Sequence, residues 1–262
     1  MYFFDKLFLK LNLLHKIFFT KKIYFSFSGV DLILQNIFMK QNDGLYIDVG
    51  CQHPIKNNNT YLLYKKGWKG INVDLDKDNI KLFNSARPED YNVNKALSSE
   101  IKNVELYFYH KKSPINTIDK KTSEFQKAKV SSIRNITTDT LNNIISNTKY
   151  KDCCIDLLSI DVEGHELQVL KKATNVLKKN RPILMIEILN DKKKDYKKVF
   201  KLMSKLNYLS YYLNRKNLKL NKCTYNDMNK FQSKQKLLLK NKNFFDQNYI
   251  QNFFFLPKKI IN

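Results

Sequence analysis

Glycine is scarce in this chain, with six in 262 residues, and cysteine scarcer still, with four. The glycines form no Gly-x-Gly-x-x-Gly turn, which argues against a pyrophosphate cradle of that kind, and there is no Gly/Ser-rich linker or internal repeat to divide the chain. Cys51, Cys153, Cys154 and Cys223 show no Cys-x-x-Cys spacing and no metal-like pairing with histidine, and they are too few to staple a chain this long. A reduced, cytoplasmic protein is expected, with Cys153 and Cys154 as plain core at a strand start. Long apolar runs are missing too, because lysines interrupt the candidates, which argues against a membrane span or a signal-peptide core. Arginine is nearly absent: of 47 basic residues only Arg87, Arg134, Arg181 and Arg215 are Arg. Base readers lean on Arg forks, so a formal charge of +23 carried on lysine beside abundant asparagine reads as bias plus solubility, not as specific nucleic-acid recognition. Attraction to an anionic partner, such as a membrane face or an acidic glycan, is the alternative.

What is present is enough for a large core: 43% of the residues are hydrophobic and 13% aromatic. Residues 1–24 form a separate feature. Phe4, Leu7, Phe8, Leu11, Leu14 and Phe18 recur at helical spacing with Lys6, Lys10 and Lys16 between them, the pattern of a basic amphipathic helix. Such a helix suits peripheral contact with an anionic membrane surface; packing on its own domain is the bland alternative. From residue 25 onward the pattern alternates. Strands are expected at Tyr46–Gly50, Ile71–Leu75, Tyr91–Leu97, Val104–His110, Cys154–Asp161, Ile183–Ile188, Tyr208–Leu213 and Asn252–Leu256. Helices are expected at Ser28–Lys40, around Tyr61–Lys66, and at Asp76–Ser85, Thr138–Asn147, Glu163–Lys178 and Asp191–Leu206. Alternation of this kind predicts an α/β fold with a mainly parallel sheet covered on both faces. The late strand pair has no crossover helix and suggests an antiparallel hairpin at one edge, with a polar Lys/Asn-rich insertion at about 214–248. Residues 25–262 are therefore expected to form one domain.

Ionisable chemistry gathers where strands end. In YIDVGCQHP, Asp48 lies inside the first strand end and Gly50 at the turn, where a nucleotide-type ligand needs close backbone approach. Asp74 ends INVDL, 26 positions later, where an acid can bind both ribose hydroxyls. Carboxylates at both tips without a phosphate cradle fit an adenosine cofactor that lacks phosphate and carries positive charge, which describes S-adenosylmethionine. Each acid also has a structural reading, Asp48 as a turn acceptor and Asp74 as a helix cap. LLSIDVEGHELQVL places Asp161, Glu163, His165 and Glu166 within six residues between a buried strand and a helix. His165 is the first candidate general base, since imidazole titrates near neutral pH. Asp161 or Glu163 could orient that ring, the acceptor hydroxyl or a cofactor amine. Asp161, Glu163 and Glu187 are also hard oxygen donors for a divalent ion, though no metal is expected. The competing reading is helix capping by Asp161 with Glu163 and Glu166 complementing the helix dipole. His53-Pro54 makes a stiff turn whose ring could face the cofactor, Asn59 and Thr60 could cap the next helix, and Trp68 reads as core.

The chain resembles the FkbM-type S-adenosylmethionine-dependent methyltransferases in FSFSGVDLIL, GLYIDVGCQHPIKNNNTYLLYKKGWKGINVDLD, NVNKALSS, PINTID, ITTDTLNNII, DLLSIDVEGHELQVL and RPILMIEI, in that order from Phe25 to Ile188. The resemblance implies the class I methyltransferase (Rossmann-like) fold, a seven-stranded, mostly parallel, doubly wound sheet with its last strand antiparallel. It implies methyl transfer to a hydroxyl of a sugar, glycan precursor or related small-molecule metabolite. It also implies Asp48, Gly50 and Cys51 in the cofactor loop, Asp74 on the ribose, Asn94, Ala96 and Ser98 beside the adenine, and Asp161, Glu163 and His165 at the reaction centre. The first motif departs from the usual Ser-Gln-x-Gly-Glu-Asp: Ser26, Gly29 and Asp31 are kept, while Phe27 and Val30 replace Gln and Glu. That departure keeps a second reading open, a non-catalytic membrane-associated or anion-binding scaffold on the same fold.

Overall fold

The computed structural model describes residues 2–19, 24–126, 128–188, 193–228, 230–231, 238 and 246–258. In chain order the elements are α1 (Tyr2–Phe19), α2 (Val30–Ile37), β1 (Leu45–Val49), α3 (Tyr61–Lys65), β2 (Lys69–Asp74), α4 (Lys77–Ala86), β3 (Tyr91–Asn94), β4 (Ala96–Leu97), β5 (Asn103–Phe108), α5 (Lys120–Phe125), β6 (Ser132–Asp139), α6 (Leu141–Ser146), β7 (Leu157–Ile160), α7 (Glu166–Lys172), α8 (Thr174–Asn180), β8 (Ile183–Glu187), α9 (Lys193–Lys205), β9 (Tyr208–Asn214), β10 (Lys219–Lys222) and β11 (Asn252–Pro257). The main sheet runs β10-β9-β11-β8-β7-β1-β2-β3, and a small second sheet runs β4-β6-β5.

Strand pleating explains how this sheet is buried on both sides. Along β1, Leu45, Ile47 and Val49 face the core formed with α6 to α9, whereas Tyr46 faces the core formed with α2 and α3. Phe253 and Phe255 of β11 join the first core and Phe254 the second. An all-apolar strand such as FFFL is what a sheet covered on both faces requires. Trp68 lies fully buried in the second core, as expected.

The expected α/β fold with helices on both faces stands, but the sheet details differ. It has eight strands, not seven, and is mixed. The antiparallel strand β11 lies inside the sheet, paired with both β8 and β9, and is not the edge. One edge strand is β10, antiparallel to β9 and located within the segment read as an insertion; the other is the parallel strand β3. Of that insertion, residues 229, 232–237 and 239–245 lie outside the described residues, as do 191 and 192 at the expected start of α9. The expected strand at Tyr91–Leu97 divides at Lys95, whose N–H donates to the Asp74 carbonyl (3.0 Å), and β4 then leaves for the second sheet. The expected helix Glu163–Lys178 starts three residues later and divides at Ala173. Cys153 and Cys154 are exposed, not core, because β7 begins only at Leu157.

Candidate active site at the strand ends

Parallel strands β1, β2, β7 and β8 end together, and the sheet order reverses direction between β1 and β7. Ligands in open α/β sheets bind at such a switch point. Two strand tips touch there: the Asp161 N–H donates to the Val49 carbonyl (2.9 Å), and Gly50 sits at φ +80°. A Cβ on Gly50 would lie 1.7 Å from the Asp161 carbonyl oxygen, so no other residue fits.

A narrow cleft opens over these tips, walled by residues that include Gly50, Asp74, Ala96, Asp161, Glu163 and His165. A wider chamber of about 510 Å³ adjoins it, within the roughly 300–1,000 Å³ that small-molecule sites occupy, lined by Asp48, Cys51, Glu187 and the amides of Asn57, Asn58, Asn59, Gln126 and Gln251, with Phe27 and Tyr249. Gly50, Gln52, Pro114, Asp161 and Glu163 belong to both walls.

The carboxylates are held in distinct ways. Asp74 accepts from the backbone N–H groups of Gln52 (2.8 Å) and Asp76 (2.7 Å) and from the Asn79 amide (3.1 Å). Burial outweighs these bonds and pushes its carboxyl up to about 6. It is not the cap of α4; Asp76 is, accepting from the Asp78 N–H (2.9 Å). Asp48 accepts from the Thr60 hydroxyl (2.9 Å) and the Asn58 amide (3.4 Å), and burial raises its pKa. Asp161 and Glu187 share a hydrogen bond; burial followed by the Asp161 charge drives Glu187 well upward, and burial raises Asp161 as well. Glu163 occupies the left-handed region at φ 52°, with its carbonyl accepting from the Thr117 hydroxyl (3.0 Å). Strain of this kind in a non-glycine residue concentrates at functional sites.

His165 lies in the cleft wall only, with Nε2 3.0 Å from the buried Ser98 hydroxyl. Glu166 ties down the loop before α7: its carboxylate accepts from the Gly164 N–H (2.9 Å), and burial lifts it to about 7. Cys51 borders the chamber, and burial raises its thiol well above the ordinary range. Ala96 lines the cleft, while Asn94 is exposed and donates to the Asp74 carbonyl (3.0 Å). His53 points away from both cavities: Nδ1 accepts from the N–H groups of Ile55 (3.1 Å) and Lys56 (2.9 Å), so the ring folds the turn and does not face the cleft. Thr60 stands at the N-cap of α3 without a side-chain cap bond, because its hydroxyl is committed to Asp48. In the first motif, the Ser26 hydroxyl (2.6 Å) and the Phe25 N–H donate to Asp31, closing a local box; Val30 is core and Phe27 faces the chamber.

Sequence reasoning missed Arg87. It is fully buried, donating to the Tyr46 (3.0 Å) and Thr60 (2.9 Å) hydroxyls, the Asn58 side-chain carbonyl (2.7 Å) and the Pro54 carbonyl. Tyr46 in turn donates to Asp90 (2.6 Å), so one buried network runs from Asp90 to Asp48 beneath the site. Its rarity was a signal: in a chain that uses lysine almost everywhere, an Arg marks a place that needs the planar fork. The amides of Gln126 and Gln251 carried no signal.

The sequence model of the methyltransferase FkbM domain matches residues 48–210, more than half of the chain. This chain belongs to the FkbM methyltransferase family. The match begins after the Phe25–Leu34 stretch and extends past Ile188 through α9 into β9. Among solved structures, the chain is similar to the methyltransferase FkbM from Methylobacillus flagellatus KT, with a TM-score of 0.46 and 12% identity over 82% of this chain. The chain spans 44% of that protein's length. No curated protein matches.

Proposed function

We propose that this family member is an S-adenosylmethionine-dependent O-methyltransferase acting on a hydroxyl of a sugar, glycan precursor or related metabolite. The observation that carries the reading is the shared wall of cleft and chamber: a donor in the cleft would present its methyl group across Asp161 and Glu163 to an acceptor in the chamber. The residues suit that donor. Asp74 keeps one lone pair, on Oδ2, for a ribose hydroxyl, and Asp161 and Glu163 suit cationic groups. Bound there, S-adenosylmethionine supplies an electrophilic methyl carbon on a sulfonium.

The chain's own task is then alignment and proton removal. Holding the acceptor oxygen in line can contribute ~7–11 kcal/mol of the barrier. Asp161 and Glu163, which reach both cavities, are the carboxylates placed to take the hydroxyl proton, a role typically worth roughly 10²–10⁴-fold. Glu187 supports Asp161 through their shared hydrogen bond. His165, on the cleft side and paired with Ser98, serves in this reading to position the donor. The chamber's amides and carboxylates offer both donors and acceptors, which suits a polyol.

Calorimetric binding of S-adenosylmethionine tests this directly. The intact protein should bind, Asp74→Ala should bind about 10–100-fold more weakly, and Asp74→Asn, which keeps one acceptor oxygen for Asp76 and Asn79 and loses the one for Gln52, should fall between them. Undiminished affinity in both variants sinks the ribose assignment. No binding by the intact protein brings forward the non-catalytic scaffold.

A further inference from the structure

We propose that α1 docks this protein on an anionic membrane surface, with its exposed apolar face in the lipid and its flanking lysines on the headgroups. The inference stands on the helix itself and is independent of the methyl-transfer reading.

The helix attaches to the domain by one narrow side. Leu9 is buried among Phe25, Ile55, Tyr61 and Leu62, and α1 lies against α4. At about 100° per residue, Phe3, Phe4, Leu7, Phe8, Leu11 and Leu14 fall on an arc about 140° wide, centred opposite Leu9. All six are exposed, Phe3 and Phe4 to 72% and 73%. Apolar surface of that continuity on a protein that already has two cores marks an interaction site.

The chemistry of the margins selects the occupant. Lys6 and Lys10 are exposed on one border of the apolar arc, and Lys112 lies over the Phe8 ring at 5.2 Å. Basic side chains bordering an apolar face match anionic headgroups above acyl chains, and the chain's +23 charge adds long-range attraction of the same sign. Among the described residues no helix is long and apolar enough to cross a membrane, so the geometry is that of a helix lying in the interface. Docking would also orient the site: Phe8 packs beside His53 and Lys112, and the next residues, Ser113 and Pro114, line the cleft.

The test is co-sedimentation of the full chain with phosphatidylcholine vesicles, with and without about one-third phosphatidylglycerol, checked by sedimentation velocity without lipid. The intact protein should pellet with the anionic vesicles and far less with the neutral ones. Leu7→Asp/Leu11→Asp should partition at least about tenfold less, and Lys6→Glu/Lys10→Glu should lose the preference for anionic lipid. Neither pair should change thermal unfolding, since all four side chains are exposed. The proposal is overturned by an intact protein that stays in the supernatant, or by unchanged pelleting of the Leu7/Leu11 variant. It is equally overturned if that variant turns a dimer into a monomer while lipid is not bound, since the face would then belong to a second copy.

Discussion

At the scale of single residues, the site depends on side chains that touch no ligand. Arg87 is a full positive charge with no exposure, held by four oxygen acceptors and placed about 5 Å from the rings of Tyr64 (5.1 Å) and Phe83 (5.0 Å). Through Thr60 and Asn58 it fixes Asp48, and through Tyr46 it reaches Asp90. A lysine keeps the charge but cannot span these acceptors at once, leaving some of them buried and unpaired. Arg87→Lys should therefore cost on the order of 3 kcal/mol, a loss typical of breaking a buried charged network. Urea unfolding measures it; a loss under about 0.5 kcal/mol, the range of ordinary surface changes, sinks the account. The residues legible from sequence were those whose type is rare at a strand tip, such as Asp48, Gly50, Asp74 and Asp161. The Arg87 network escaped because its partners, Tyr46 in β1 and the loop from Pro54 to Thr60, lie 27 to 41 positions away, and no local pattern announces a contact of that reach.

At the scale of elements, strands with apolar periodicity were read correctly and polar ones were not. β6 (SIRNITTD) is mostly exposed, and β10 (KLNK) is a short polar edge strand, so neither carries the burial signal that periodicity detects. The break at Ala173 is equally silent, because apolar spacing continues across it from α7 into α8. At the start of α7, two readings of one acidic cluster separate by element: Glu166 belongs to the helix start, while Asp161 and Glu163 belong to the cavities. Burial lifts the Glu166 carboxyl from its ordinary value near 4.5 to about 7. Between those values the folded chain holds a proton that the unfolded chain has released, so stability is full below the lower value and is lost as pH rises through 7. Asp74, raised to about 6, acts in the same direction, while His53, lowered to about 4, acts in the opposite one. The parent's own curve sums these opposing effects, whereas the variant isolates one of them. Glu166→Gln keeps an oxygen for the Gly164 N–H and removes one titration, so its stability relative to the parent should rise between pH 5 and about pH 7.5. An unchanged difference across that range, read from urea midpoints, would falsify the assignment.

At the scale of the whole molecule, charge is segregated. The chain carries +23, yet the chamber holds the carboxyls of Asp48, Asp161 and Glu163 beside Glu187, which burial drives well upward, and, among the described residues, no Lys or Arg lines it. Composition reads as bias plus solubility, with an anionic partner as the alternative, and only the fold reveals that the chamber has the reverse sign. It does so by gathering strand tips from β1, β7 and β8 with Phe27 from one end of the chain and Gln251 from the other. An acceptor ring carrying a carboxylate or phosphate would meet like charges in a site of reduced dielectric, where repulsion is stronger than in water. A neutral ring meets amides on several sides, and an amine-bearing ring also meets carboxylates. Transfer of a labelled methyl group to a panel of hexoses, hexosamines, hexuronic acids and hexose phosphates should therefore favour the first two by about tenfold or more, the discrimination that roughly 1.4 kcal/mol supplies. The same preference should weaken in Glu163→Gln, which removes one charge from the wall and keeps its shape. A protein that prefers the uronic acids would place the acceptor outside this chamber and return the cavity to the donor alone.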